Sequence, residues 1–164
     1  PPLQHLASWM TQKYPDVKLT AFAGATTVKN LPYFDVKKDE AGQIEITEFA
    51  RHGIACHVAT DDGSAGYKGF VTGYLDQWLS GQLIDPDSTI LYACGPEVML
   101  AETARIAGKY NIECQVSLER MMACGIGLGQ TCAVLARGED DAIEYKLCCQ
   151  NGPVFEADKV IFET

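Results

Sequence analysis

No run of apolar residues in this 164-residue chain approaches the roughly 20 that a helix needs to span a bilayer. Basic residues are also scarce, 13 Lys and Arg against 22 Asp and Glu, for a formal net charge of −9. That balance argues against nucleic acid, which calls for basic patches, and against an anionic membrane surface. It suits a soluble protein or one with a basic partner. There is no internal repeat and no low-complexity tract, and nothing at the start reads as a secretory signal. The seven cysteines are an odd number and cluster late, unlike the even, spread set of a disulfide framework. A reducing cytoplasm fits that usage. Hydrophobic content of 47% is enough for a packed core.

What is present centres on Ser117 to Phe155, which holds Cys124, Cys132, Cys148 and Cys149. Gly125, Gly127 and Gly129 lie between the first two and let the loop bend tightly. Thiolates on such a loop, completed from a later hairpin, are how proteins hold iron–sulfur clusters, with backbone N–H groups turned toward the sulfurs. Four thiolates can also hold tetrahedral zinc, so a zinc module on a nucleotide-sensing domain stays open at this point.

The preceding residues read as alternating strands and helices. An amphipathic helix carries Leu3, Leu6, Ala7 and Met10 at helical spacing and stops at Pro15. Lys18–Ala23 reads as a strand running into Gly24-Ala25-Thr26-Thr27, where small hydroxyl residues at a strand end either face a ligand or cap a turn. Between Asn30 and Gly53 come a charged run at Lys37–Glu40, an alternating stretch from Gln43 to Thr47 and a short helix near Thr47–His52. Ile54–Thr60 is the next strand, followed by a glycine-rich acidic loop from Asp61 to Thr72. Phe70, Val71, Tyr74, Leu75, Trp78 and Leu79 line one helix face. Thr89–Ala93 is an apolar strand of central parallel type. It runs into Cys94-Gly95-Pro96-Glu97, with Pro96 and Glu97 suited to a first helical turn. That helix reaches Tyr110, with Asn111 as its stop. Glu113–Glu119 is a strand. Cys132–Ala136, Ile143–Cys149 and a terminal segment near Lys159–Phe162 read as short antiparallel strands, with a turn at Gly138–Asp141. Cys56 and Cys114 sit inside apolar strands as buried structural thiols.

The fold class predicted is α/β: a parallel, doubly wound nucleotide-binding sheet over 1–119, followed by a small β-rich iron–sulfur module over 120–164.

Three motifs resemble one family in order along the chain. They are Thr60-Asp61-Asp62-Gly63 with its following glycines, Tyr92-Ala93-Cys94-Gly95-Pro96-Glu97, and Glu119-Arg120-Met121-Met122-Ala123-Cys124-Gly125 with the later Cys149-Gln150-Asn151-Gly152-Pro153. Together they resemble the electron-transfer subunit of dihydroorotate dehydrogenase, within the ferredoxin-reductase superfamily. The resemblance implies NADH bound through Thr60, Asp61, Gly63 and Gly66, and Thr26 at its strand end is a further candidate for the same ligand. It implies Cys94 near the hydride-transfer position, with Gly95 and Pro96 setting the turn. It implies a 2Fe–2S cluster on a Cys-x4-Cys-x2-Cys pattern plus a distant fourth cysteine. Cys124, Cys132 and Cys149 take the first, third and fourth positions. The second falls on Gly129, which has no side chain to donate, and Cys148 is the extra thiol able to replace it if the strand breaks there. The resemblance further implies FAD, bound mainly by an upstream domain, and a catalytic flavoprotein partner that interconverts dihydroorotate and orotate. Pro1-Pro2 looks like the tail of that family's glycine-rich loop, so the chain reads as a fragment, inactive alone. Flavin subunits of hydrogenase, sulfide dehydrogenase or transhydrogenase complexes would carry nearly the same motifs.

Overall fold

The computed structural model describes residues 2–32, 36–38 and 44–163. Pro1, Gln43 and part of the Lys37–Glu40 run lie outside the described residues. The chain divides into two compact units, Pro1–Leu83 and Ile84–Thr164.

The first unit contains α1 (Pro2–Lys13), β1 (Thr20–Ala25), β2 (Val36–Lys38), β3 (Ile44–Ile46), α2 (Thr47–Ala50), β4 (Ala55–Thr60), β5 (Tyr67–Lys68) and α3 (Val71–Ser80). A parallel sheet runs in the order β1-β4-β5, with Thr20 opposite Ala55 and Ala25 opposite Thr60. Strand alternation decides what covers each face. Ala21, Ala23, Ala25, Cys56 and Val58 pack with Phe49 of α2 and Ala7 of α1. Phe22 and His57 turn the other way, against Tyr74 and Trp78 of α3. Gly24 is required where α3 begins, because a Cβ there would stand 2.6 Å from the Val71 Cβ. β2 and β3 form a separate antiparallel hairpin, of which the sequence pattern showed only β3.

The second unit contains β6 (Ile90–Cys94), α4 (Glu97–Tyr110), β7 (Glu113–Ser117), β8 (Ala133–Arg137), β9 (Ile143–Leu147), α5 (Cys148–Asn151) and β10 (Val154–Glu156). β6 and β7 are parallel across the α4 crossover, from Ile90 opposite Glu113 to Cys94 opposite Ser117. Asn111 ends α4 in the left-handed region, at φ 58°, a conformation that asparagine tolerates well. β8 and β9 pair as an antiparallel hairpin. Leu100, Ala107, Cys114, Val116, Leu118, Cys132, Val134, Cys148, Ala157 and Val160 form one core.

Two strand assignments need correction. The strand read as Ile143–Cys149 stops at Leu147, and Cys148 opens a single helical turn instead. The Asn151 side chain accepts the Leu147 N–H at 2.8 Å, which draws the backbone out of the ladder. The terminal strand near Lys159–Phe162 is one bridge, Val160 to Ala136, because a turn at 157–159 brings only that residue into register. The missing edge strand is β10, which lies antiparallel on β7 with Phe155 opposite Val116.

Candidate functional site

In the first unit, the expected nucleotide residues gather at the C-terminal ends of β1 and β4, where open parallel sheets present ligand-binding loops. The loop is held by its own backbone. Asp61 N–H donates to Ala25 O at 3.1 Å, and Asp62 N–H to Thr26 O at 3.2 Å. Thr60 is fully buried, and its hydroxyl both donates to Ala65 O (2.8 Å) and accepts from Ala65 N–H (2.9 Å). Its geometry makes it the residue that folds the loop back. Gly66, at φ 62°, is forced by close approach, since a Cβ there would meet Val58 O at 2.1 Å. Gly63 has φ 75°. Asp61 and Thr26 are exposed at the strand ends.

Ser64 is a participant that sequence reasoning missed. Its hydroxyl accepts from Val28 N–H at 2.8 Å, while its own N–H donates to the Asp62 carboxylate at 2.9 Å. The Ser64 hydroxyl and backbone together hold the Asp62 carboxyl below the usual carboxylate range. A serine in a glycine-rich loop gives no signal of its long-range partner.

In the second unit, Cys94 is the last residue of β6 and is half-buried. Gly95 and Pro96 carry the chain into α4, and Pro96 O accepts the Leu100 N–H at 3.1 Å. Glu97 in the first turn holds Arg120 at the entrance of the thiol loop, at 2.9 Å. These two residues are 23 positions apart, and no local pattern announces the pair.

The thiol loop itself has no regular secondary structure from Glu119 to Thr131. Gly125 and Gly127, at φ 66° and 77°, turn it back on itself. Cys124 is exposed, and its sulfur accepts the Gly129 N–H at 3.3 Å. Backbone N–H groups of Ile126, Gly129, Gly127 and Leu128 stabilise the thiolate and bring its pKa down to about 7. Cys132 and Cys149 stand sulfur to sulfur at 3.4 Å. Backbone and side-chain hydrogen bonds from Cys149 hold the Cys132 thiol below its ordinary value, and the Cys149 thiol is raised by the same contact. Gln150 braces the arrangement by donating to Ile126 O at 3.3 Å. Cys148 faces the core and is only 5% exposed, so burial pushes its thiol up. The strand thus breaks where both cysteines could ligate only if it broke, yet the turn sends Cys148 inward and Cys149 toward Cys132.

Three thiols and inward-turned amides fit the donor chemistry of an iron–sulfur site at three positions of four. Among the described residues no three His, Cys, Asp or Glu side chains surround one metal position. Cys132 and Cys149 are the two thiols of the loop and following turn that stand in direct contact.

The first unit thus carries a parallel α/β layer with loops at its strand ends, and the second a glycine-bent thiol loop braced by Gln150. Residues 119–161 match the iron–sulfur cluster binding domain of dihydroorotate dehydrogenase B. The NAD(+)-type electron-transfer subunit of that enzyme from Bacillus caldolyticus is 35% identical over 161 residues, which is 98% of this chain and 53% of that protein. The subunit from Caldanaerobacter subterraneus subsp. tengcongensis is 43% identical over 105 residues, 64% of this chain and 40% of that one. The probable subunit from Methanocaldococcus jannaschii is 36% identical over 147 residues, 89% of this chain and 48% of that one. A solved NADH-dependent reduced ferredoxin-NADP oxidoreductase, described in connection with flavin-based electron bifurcation, superposes with a TM-score of 0.71. It is 27% identical, over 98% of this chain and 50% of its own. Residues 119–161 match that family's cluster-binding domain, and over most of its length the chain is similar to dihydroorotate dehydrogenase B electron-transfer subunits. It spans about half the length of the curated relatives it matches.

Proposed function

We propose that this chain is the nucleotide- and cluster-binding part of a subunit that carries electrons from NADH, through FAD and a 2Fe–2S cluster, to a catalytic dihydroorotate dehydrogenase flavoprotein in pyrimidine biosynthesis. The observation that carries the reading is the match over 119–161 coinciding with the loop where Cys132 and Cys149 meet at 3.4 Å.

Each residue set has a task in this scheme. Thr60 folds the Asp61–Gly66 loop so that the Asp61 carboxylate and open backbone amides face a dinucleotide at the strand ends, beside Thr26. Cys94 borders the nicotinamide, with Gly95 and Pro96 fixing the turn that places it. Cys124, Cys132 and Cys149 hold the cluster, which when bound supplies one-electron transfer between two-electron carriers. Loop amides offset the charge of the thiolates. Functionally we divide the chain at 119/120, into nucleotide-binding and cluster-binding parts. Exposed Met121, Met122, Ile126 and Leu128 rim the loop and suit contact with the acceptor protein.

The likeness to the ferredoxin-NADP oxidoreductase supports a second reading, a subunit of a transhydrogenase-type flavin complex. Purifying the full-length protein with its bound partner separates the two. The first reading expects a flavoprotein partner and NADH-dependent orotate reduction. Ferredoxin-linked NADPH turnover without orotate reduction would overturn it in favour of the second.

A further inference from the structure

The turn after β1 and the loop after β4 satisfy most of their polar side chains within the protein. Thr27 caps the short 3-10 turn Val28–Asn30, its hydroxyl accepting the Lys29 N–H at 3.2 Å and donating to Asn30 Oδ1 at 3.1 Å. Thr60 is closed on Ala65, and the Asp62 carboxylate on the Ser64 N–H. Thr26 and Asp61 are the exceptions. Both are exposed, and neither side chain has a hydrogen-bond or ion-pair partner among the described residues. The parallel register that sets Ala25 opposite Thr60 carries the two alongside each other, about one strand spacing of 5 Å apart.

A long-range contact holds that pair in place. Backbone hydrogen bonds join the two segments as far as the Asp62 N–H on Thr26 O, at 3.2 Å, and there the ladder ends. Past it, the Ser64 hydroxyl joins turn to loop by accepting the Val28 N–H at 2.8 Å, across 36 positions. Ser64 is anchored in turn by its own N–H on Asp62, at 2.9 Å. Its side chain is exposed and belongs to no core, so its effect is on arrangement rather than on packing.

We infer that Ser64 is a positioning residue for nucleotide binding: by clasping Val28 it fixes the Thr26 hydroxyl and the Asp61 carboxylate side by side, to receive the hydroxyls of a ribose. The inference rests on the dinucleotide reading above. A carboxylate accepts from one ribose hydroxyl, and a threonine hydroxyl can donate to or accept from its neighbour. A pair already held together loses less freedom on binding than one that the ligand itself must order.

The test uses the full-length protein. Steady-state NADH oxidation is followed with ferricyanide as electron acceptor, and ADP-ribose, which carries no hydride, is titrated calorimetrically. Ser64→Ala removes the acceptor of the clasp and Val28→Pro its donor. Proline is tolerated at the first position of such a turn, and Thr27 before it is already extended, at φ −140° and ψ 163°. Each variant should raise the KM for NADH and the Kd for ADP-ribose about five-fold, the equivalent of one net hydrogen bond, with kcat within about two-fold of wild type. Ser64→Thr keeps the hydroxyl and should restore both values. Asp61→Asn should weaken NADH by a similar factor, and Ser64→Ala combined with Asp61→Asn should be little worse than either alone, because a carboxylate no longer held in place has less to lose. Wild-type affinity in folded Ser64→Ala or Val28→Pro overturns the inference, as does Ser64→Thr no better than Ser64→Ala. Losses that multiply in the double variant overturn it too, since Ser64 would then act independently of Asp61. A wild-type protein that neither oxidises NADH nor binds ADP-ribose defeats the dinucleotide reading itself.

Discussion

Arg120 grips Glu97 through both terminal nitrogens of its guanidinium, at 2.9 and 3.0 Å from the two carboxylate oxygens. The pair links the first turn of α4, just after Cys94-Gly95-Pro96, to the strand end from which the thiol loop departs. Glu97 lies at a helix N-terminus, where a carboxylate is favoured, and the hydrogen bonds it accepts from Arg120 raise the Arg120 pKa. The two side chains are 26% and 30% exposed, so water screens them only in part.

Arg120→Lys keeps the charge but loses the two-pronged geometry, and we expect a loss of about 1 kcal/mol in urea unfolding. Glu97→Gln should cost about as much. The double variant should show a coupling of about 1 kcal/mol between them. Coupling indistinguishable from zero would mean that the contact contributes nothing to stability.

Gly66 and Gly53 share a positive φ, 62° and 69°, but not their surroundings. A Cβ at Gly66 meets backbone, Val58 O at 2.1 Å, whereas one at Gly53 meets nothing within 4 Å. Gly53→Ala should cost about 1–2 kcal/mol, the strain of a left-handed residue. Gly66→Ala adds displacement of β4 and should cost about 4 kcal/mol or more, seen as a lower denaturation midpoint or loss of soluble protein. Equal costs at the two sites would show that the loop at Gly66 shifts freely.

Burial pushes the Cys56 thiol up to about 12 and the Cys114 thiol up to about 11, the latter helped by Asp158, from an ordinary value of 9.0. A raised folded-state pKa means that the fold favours the protonated thiol. That stability is complete below pH 9 and is lost as pH climbs through 9 toward 11 for Cys114 and 12 for Cys56. The slope is at most about 1.4 kcal/mol per pH unit for each thiol. Unfolding free energies measured from pH 8 to 11 should fall accordingly, and Cys56→Ala should flatten the curve around its own contribution. In the metal-free chain, mass spectrometry after brief alkylation at pH 8 should find exposed Cys124 labelled first and Cys56 and Cys114 last. Prompt labelling of Cys114 would show that its unit opens far more often than its packing implies.

Patterns confined to one element were legible in the chain itself. The spacing of Phe70, Val71, Tyr74, Leu75 and Trp78 fixed α3, the apolar run before Cys94 fixed β6, and Asn111 stopped α4. The order of these elements is enough for an α/β assignment, because helix and strand periods are local properties. The glycines around Cys124 likewise announced a tight loop, and the late cluster of thiols announced its chemistry. What lay beyond reach depended on partners distant in sequence. Cys148 and Cys149 are neighbours of one type, and only the Asn151 hydrogen bond, which ends β9 and starts a turn, sends one sulfur into the core and the other to Cys132. The Thr60 hydroxyl looked available for a ligand until its two bonds to Ala65 occupied it. The return of β10 to β7 could not be read either, because three extended residues carry no sign of which edge they will join. Residue type and period determined the elements and their chemistry, while side-chain direction, set by long-range hydrogen bonds and core packing, was decided only in the folded chain.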